Sequence, residues 1–408
     1  MTGENIRVAL FPCTYREIDG VANTSRQFTE FARRRGIPFL LVHAGPTDEI
    51  VVEGSLTRIQ LRRGSFTFPL DGHHEFDLLF SRHYQKLLQV VRDFGPNIIQ
   101  ITGPSDVGIL GALVAHNLHV TLAASWQTNI HQFAGRRVSS LLSSWPKKLS
   151  LPIAAGAEAG SFRAAARFYK IPRLLFTPNR ELVELLAKAT GKPCFLMGHS
   201  VDTETFSPSF RERSDGPFQI GYVGRLTPEK NVRFLAQLEK DLLTRGVSDF
   251  RIVLIGQGAE ENWLRQNMQH AEFKGWLTGR DLSCAYADMD AFVFPSETDT
   301  FGLAVLEALA SGVPAVVTSS GGPASTVEHG KSGYIAKSYD EFAPLLMNLM
   351  TQPELHSSMR LEARNRSLAI GSWEQIFSGM YNTYERYAQP AAQAEDMLLD
   401  DARKIMNT

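Results

Sequence analysis

Twice along this chain, short runs of apolar residues alternate with stretches of helical spacing, and that repeated alternation restricts the fold more than any other feature. In the first series Arg7–Phe11 reads as a strand and Asn23–Arg35 as a helix stopped by Gly36. Pro38–Val42 reads as a strand, Phe76–Phe94 has helical spacing, and Asn97–Thr102 is a strand. Val107–His116 then reads as a helix and His119–Ala124 as a strand. Strands that are apolar on both faces must be covered on both faces, which is the signature of a parallel sheet between helical layers. Asp48–Gly72 fits neither period, and an irregular or antiparallel segment is expected there.

The alternation breaks at Phe206-Ser-Pro-Ser-Phe-Arg-Glu-Arg-Ser-Asp-Gly-Pro217, where turn formers displace apolar residues. It then restarts. Phe218–Val223, Arg251–Ile255, Ala291–Phe294 and Ala315–Thr318 read as strands. Val232–Arg245, Ala259–Gln269, Asp281–Asp288 and Leu303–Ala310 read as helices. The expectation is an α/β chain of two doubly wound, Rossmann-like domains facing a cleft: residues 1–205, a linker at 206–217, residues 218–371, and a closing segment at 372–408. Ligands of such sheets bind at the carboxyl ends of the strands.

Charge narrows the function classes. Lys and Arg number 42 against 43 Asp and Glu, a net of -1, which excludes a general nucleic-acid binder. The three cysteines, Cys13, Cys194 and Cys284, form no CxxC and suit a reducing compartment. No apolar stretch reaches the roughly 18 residues needed to span a bilayer, and the first residues do not resemble a secretory leader. A cytoplasmic protein is expected, one that could also sit on the inner face of the cell membrane.

Four clusters fall at strand ends. Ile18-Asp-Gly-Val-Ala-Asn23 opens the first helix, and Gly20 would let the backbone approach a phosphate there. In Gly221-Tyr-Val-Gly-Arg-Leu-Thr-Pro-Glu-Lys-Asn231, Arg225 follows a buried strand and Lys230 lies at the start of the next helix. Two cations at one sheet edge are costly unless an anion lies between them, and a diphosphate suits an Arg fork beside a Lys point charge. The third cluster runs from Phe294 to Pro314. Asp299 sits in its loop, Phe301-Gly302 starts a helix whose N-terminus is open to a phosphate or sugar hydroxyls, and Glu307 lies too deep in that helix to cap it. The fourth, Ala124-Ser-Trp-Gln-Thr-Asn-Ile-His-Gln132, places Gln127, Asn129 and His131 at a strand end of the first domain. No HExxH, Walker A or GxSxG pattern occurs, and Asp288-Met-Asp290 reads as structural capping, so neither a metal nor a cofactor is implied.

In this order the four clusters resemble the retaining GT-B glycosyltransferases of the large family that includes phosphatidylinositol mannosyltransferases, sucrose synthases and bacterial glycolipid and sulfolipid synthases (the group 1 glycosyltransferases). The resemblance covers about residues 7–370 and is most specific at 219–231 and 291–334. It implies that Arg225 and Lys230 hold the donor diphosphate and that Gly20 approaches it from the other domain. Asp299 would bind the donor sugar hydroxyls and Glu307 the ribose. The backbone at Phe301, Gly302, Leu303 and Ala304 would meet sugar and phosphate, and the loop Gly275-Trp276-Leu277 would lie against the base. Gly198–Phe206 is similar to the family's Gly-Val-Asp-x-x-x-Phe segment, and a final helix near Trp373–Ala388 would return to the first domain. The chain departs from the family pattern in having Asp at 299 for Glu, Gln at 127 for His, and Ser325 where Glu is frequent.

The resemblance implies a metal-independent hexosyltransferase that moves a sugar from a UDP- or GDP-linked donor to an acceptor hydroxyl with retained configuration. Two other classes are a nucleotide-sugar-binding protein without transferase activity and a nucleotide-sugar epimerase or hydrolase of the same fold. Residues 131–170 carry seven Lys and Arg against the single acid Glu158, interleaved with Leu141, Leu142, Trp145, Leu149, Leu151 and Ile153. That mixture suits an anionic membrane surface and makes a membrane lipid or glycolipid a candidate acceptor.

Overall fold

The computed structural model describes residues 6–17, 19–69, 75–127 and 147–388. They divide into two units: one holds the chain up to 127, residues 159–198 and the closing helix Trp373–Tyr387, and the other is built mainly from 199–372. The first unit carries β1 (Val8–Phe11), β2 (Phe39–Gly45), β3 (Glu49–Glu53), β4 (Leu56–Arg62), β5 (Thr67–Pro69), β6 (Glu75–Asp77), β7 (Ile98–Ile101), β8 (Thr121–Ser125), β9 (Leu174–Thr177) and β10 (Cys194–Leu196). Eight of these form one sheet in the order β10-β9-β8-β7-β1-β2-β4-β3, while β5 and β6 pair separately.

The two-residue period of β1 explains how the sheet is buried. Val8 and Leu10 point to one face, where Phe28 and Phe31 of the Gly20–Arg34 helix meet Phe377, Tyr381 and Tyr384 of the closing helix. Ala9 and Phe11 point to the other, against Leu87, Val91, Leu110 and Val114. The closing helix is thus part of this unit's core. Phe377 stacks on Phe28 with ring centroids 4.7 Å apart, and the buried Tyr384 hydroxyl donates to Gln100 Oε1 at 3.0 Å.

Local chemistry moves several boundaries from those the sequence suggests. The first helix begins at Gly20 because Asp19 caps it, accepting the Ala22 amide at 2.8 Å. Phe76–Phe94 is not one helix. The Asp77 carboxylate accepts the Leu79 amide at 2.9 Å and Arg82 at 2.6 Å, which closes a 3-10 turn at Phe80–His83 before the helix Tyr84–Phe94. Within 48–72, β3 pairs antiparallel with β4, but β4 also pairs parallel with β2 and so extends the main sheet.

The second unit has β11 (Phe218–Val223), β12 (Phe250–Ile255), β13 (Ala271–Gly275), β14 (Ala291–Phe294), β15 (Ala315–Thr318) and β16 (Gly333–Ala336), all parallel, in the order β13-β12-β11-β14-β15-β16. The chain winds outward from β11 in one direction, then returns to β11's other side and winds the opposite way. The order therefore reverses between β11 and β14, where open α/β sheets take their ligands. Residues 206–217 are tied to this unit: Arg211 and Arg213 share the Asp290 carboxylate at 2.8 and 2.7 Å. That carboxylate also accepts the Gln219 amide, so Asp290 is a structural anchor. Among the described residues no helix is long and apolar enough to cross a membrane.

Phe377→Ala should remove a fully buried ring from beneath β1 and cost the first unit about 3–5 kcal/mol. Urea unfolding followed by a probe in that unit should show its transition moving to lower denaturant, while the second unit's transition holds.

Candidate active site

Each half of the candidate site starts at a strand flanking the reversal. After β11 the chain turns through Gly224 into Arg225, whose carbonyl accepts the Tyr222 hydroxyl at 3.0 Å. Lys230 does not begin the following helix. Pro228–Lys230 forms a 3-10 turn, Asn231 takes a left-handed backbone, and the helix starts at Phe234. The fixed φ of Pro228 favours the tight turn, and the turn holds Lys230 over the sheet edge rather than along a helix flank.

The spacing of the two cations calls for an anion, and in the ligand-free chain each meets a carboxylate. Arg225 lies 3.4 Å from the Glu229 carboxylate, and Lys230 forms a short ion pair with Asp299. Both members of the second pair are largely buried, with side chains 15% and 19% exposed. Burial opposes the charge on Asp299. The Lys230 ammonium, with help from the Ser296 hydroxyl and the Arg225 guanidinium, nevertheless holds its carboxyl below the usual carboxylate range. Thr298 Oγ1 donates to the Glu229 carbonyl at 3.1 Å, so the loops after β11 and β14 are joined at a second point.

Beyond Asp299 the chain passes through Phe301 and Gly302 into the helix Leu303–Ala310. Gly302 occupies the N-cap position with φ 85°, and no side chain caps the helix. The first amides, those of Leu303 and Ala304, thus meet no side-chain acceptor, and the positive end of the helix is left open to an anion. The loop is held by backbone: the Gly322 amide donates to the Asp299 carbonyl at 2.7 Å, and a Cβ on Gly322 would lie 1.9 Å from the Thr300 carbonyl oxygen. Ser325 closes the same turn by donating to the Gly322 carbonyl at 2.6 Å. His199 packs its ring 4.8 Å from that of Phe301, and burial pushes its pKa down to about 4, so it is a neutral support.

Glu307 lies one turn inside the helix and accepts the Tyr286 hydroxyl at 2.7 Å. Burial pushes its carboxyl up to about 7, against the downward pull of that hydrogen bond. Two acids eight positions apart therefore sit in opposite electrostatic settings: Asp299 is held ionised by a cation, while Glu307 changes charge near neutrality. Sequence reasoning did not single out Tyr286, Glu229 or His199. A tyrosine in a short amphipathic helix carries no pattern that distinguishes it from core.

The other expected residues are placed separately. Leu277 is half-buried against the second core, beside Trp276, which is 44% exposed. In the first unit Gly20 opens its helix after β1, directly behind the Asp19 cap. Gln127 follows β8, is buried, and donates to Ser125 Oγ at 2.9 Å. Asn129 and His131 lie outside the described residues, as do residues 131–146 of the basic segment. Its remainder includes the helix Lys147–Phe168, where Arg163 and Arg167 are exposed.

The raised carboxyl of Glu307 has a measurable cost. Its folded pKa, about 7, exceeds the ordinary 4.5, so the folded protein holds this proton more tightly than the unfolded chain does. The resulting stabilisation is complete in acid and is lost as pH rises through 7. Glu307→Gln should accordingly be more stable than wild type at pH 8, with the difference closing towards pH 5 in ligand-free thermal melts. In Tyr286→Phe, NMR titration of the Glu307 carboxyl should show its midpoint moving upward.

Comparison with known proteins identifies the family. The family model for glycosyl transferases group 1 matches residues 204–366, which spans the second unit's site. A GDP-mannose-dependent alpha-mannosyltransferase of Mycobacterium tuberculosis is 28% identical over 392 residues, covering 93% of this chain and 96% of its own length. The protein of that name from Mycolicibacterium smegmatis is 30% identical over 311 residues, covering 74% and 76%. Among solved structures, sucrose-phosphate synthase of Thermosynechococcus elongatus superposes with a TM-score of 0.70 at 16% identity, over 94% of this chain and 99% of that one. HepE of Anabaena, in complex with UDP and glucose, superposes with a TM-score of 0.64 at 14% identity, over 93% and 100%. The chain has the GT-B fold of two Rossmann-like domains and belongs to the group 1 glycosyltransferases, enzymes that transfer sugars from nucleotide sugars.

Proposed function

We propose that the protein transfers a mannosyl group from GDP-mannose to an acceptor hydroxyl with retention of anomeric configuration and without a divalent metal. The observation that carries this reading is the grouping of Arg225, Lys230, Asp299, Glu307 and the uncapped Leu303–Ala310 helix at the strand-order reversal. The donor identity is supported by the names of the relatives that align over most of their length.

In this reading the donor diphosphate takes over the two cations from the carboxylates that hold them in the ligand-free protein. Arg225 offers a fork, Lys230 a point charge, and the amides of Leu303 and Ala304 the end of a helix dipole. These groups stabilise the charge that develops as the bond from sugar C1 to phosphate oxygen breaks, the work a divalent ion does in other transferases. Asp299, released from Lys230, accepts from hydroxyls of the sugar, and Glu307, once ionised, accepts from the ribose. The acceptor oxygen bonds to C1 on the face the phosphate leaves, and its proton passes to the departing phosphate oxygen. No side-chain base is needed, so Gln127 suffices to position a hydroxyl by hydrogen bonding. Gly20, Asn129, His131 and Leu277 complete the proposed substrate contacts. The exposed cations Arg163, Arg167 and Lys170 support a membrane lipid acceptor at the cytoplasmic face.

Incubation with GDP-mannose and a panel of lipid and soluble acceptors in excess EDTA should release GDP and give an α-linked product by NMR. A β-linked product, or dependence on added metal, would overturn the mechanism. Arg225→Ala and Lys230→Ala should each lose about 2–5 kcal/mol of transition-state stabilisation, a fall of orders of magnitude in kcat. Only Lys230→Ala should also lower the melting temperature, because it leaves Asp299 buried without its countercharge.

Asp299→Asn should slow transfer far more than it weakens GDP binding, whereas Glu307→Gln should weaken both. Equal losses of GDP affinity in the two variants, by calorimetry, would contradict this division of roles.

A further inference from the structure

Two fully buried tyrosines of the second unit, Tyr222 on β11 and Tyr286 on the helix Gly279–Ala287, each send a hydroxyl to a residue of the candidate site. We propose that both are positioning residues for donor binding: Tyr222 fixes Arg225 for the diphosphate, and Tyr286 fixes Glu307 for the ribose. This deepens the transferase reading and rests on it, since it says how the donor contacts are held in place.

The two tyrosines belong to one row of packed rings. Phe206, Tyr286, Phe292, Phe294 and Tyr222 follow one another at centroid separations of 5.5, 5.8, 6.0 and 6.0 Å. Lys230 Nζ lies 5.9 Å from the centroid of Phe294, so the row runs alongside the Lys230–Asp299 pair. The phenylalanines complete this packing with carbon alone. A phenol in the same row brings a hydroxyl that must find a partner when buried. At the two positions that carry one, the partner is a site residue.

For Tyr222 that partner is the Arg225 carbonyl, 3.0 Å away. Arg225 lies two residues past the end of β11, and among the described residues no backbone amide donates to its carbonyl. Its neighbours are held by the adjoining loop: the Gly224 amide donates to the Ile255 carbonyl at 3.0 Å, and the Leu226 amide to the Gln257 carbonyl at 2.9 Å. The Tyr222 hydroxyl sets the remaining peptide plane, and with it the direction in which the Arg225 side chain leaves the backbone. Gly224, at φ 152°, makes room for the phenol, since a Cβ there would lie 3.0 Å from the hydroxyl oxygen.

For Tyr286 the partner is Glu307 Oε2, at 2.7 Å, while Oε1 makes no hydrogen bond among the described residues. The carboxyl group is therefore held by one oxygen and offers the other. A glutamate side chain loses rotamer freedom when it is ordered, and ordering it before the ligand arrives removes that cost from binding. Both phenols are buried, so they act through Arg225 and Glu307 rather than on the donor itself.

The test is calorimetry on the full chain with whichever of GDP and UDP the wild type binds more tightly. Phenylalanine keeps each ring, so the variants isolate the hydroxyl. Tyr222→Phe and Tyr286→Phe should each weaken the nucleotide about 5–30-fold. The effect of Tyr222→Phe should shrink to under about twofold in an Arg225→Ala background, and that of Tyr286→Phe likewise in Glu307→Gln, whereas the crossed pairs should multiply. With the 2′,3′-dideoxy form of the same nucleotide, Tyr286→Phe should lose its effect and Tyr222→Phe should keep it. A general loosening of the core would weaken every background and both ligands alike. That result, or no effect of either substitution, would overturn the proposal. A wild type that binds neither nucleotide would sink the donor reading and this inference with it, whereas a wild type that binds and tyrosine variants that match it would sink this inference alone.

Discussion

The ion pair of Lys230 with Asp299 is the contact on which the rest of the site depends. It joins the loop after β11 to the loop after β14, the two strands between which the sheet reverses its winding. A largely buried ammonium and carboxylate are each expensive alone and tolerable only together. The pair therefore fixes the distance between the loops, and with it where Arg225, Gly302 and the start of the Leu303–Ala310 helix can be.

Four of the second unit's six strands, β11, β12, β14 and β15, could be read from the chain because the period of their apolar residues changes sharply at their boundaries; β13 and β16 were not. The order of the unit's strands could not be read, since nothing in β11 or β14 says which neighbours they take. Arg225, Lys230, Asp299 and Glu307 stood out because charged residues at the ends of buried strands have few structural reasons to be there. Their partners did not stand out. Glu229 reads as an ordinary turn acid beside Pro228, and Tyr286 reads as core until its hydroxyl is seen on Glu307. That Lys230 already meets a carboxylate was hidden for the same reason: Asp299 lies on a different strand's loop, beyond the reach of local spacing.

In the first unit the reading was weakest where side chains override period. The Asp77 carboxylate cuts the 76–94 stretch into a strand, a turn and a helix, and a single cap moves the start of the first helix to Gly20.

The closing helix has a further consequence, for the order in which the chain can mature. Phe377, Tyr381 and Tyr384 fill the space beneath β1, yet they follow the whole of the second unit in the chain. The second unit's six strands, by contrast, all fall within residues 218–336, which leave the ribosome before them. The amino-terminal sheet must therefore wait, with the apolar face around Val8, Phe28 and Phe31 uncovered, until the Trp373–Tyr387 helix has followed the second unit out of the ribosome. The unit that is made second can finish folding first, and the interval between the two is when a nascent chain of this kind is most exposed to aggregation and most in need of a chaperone.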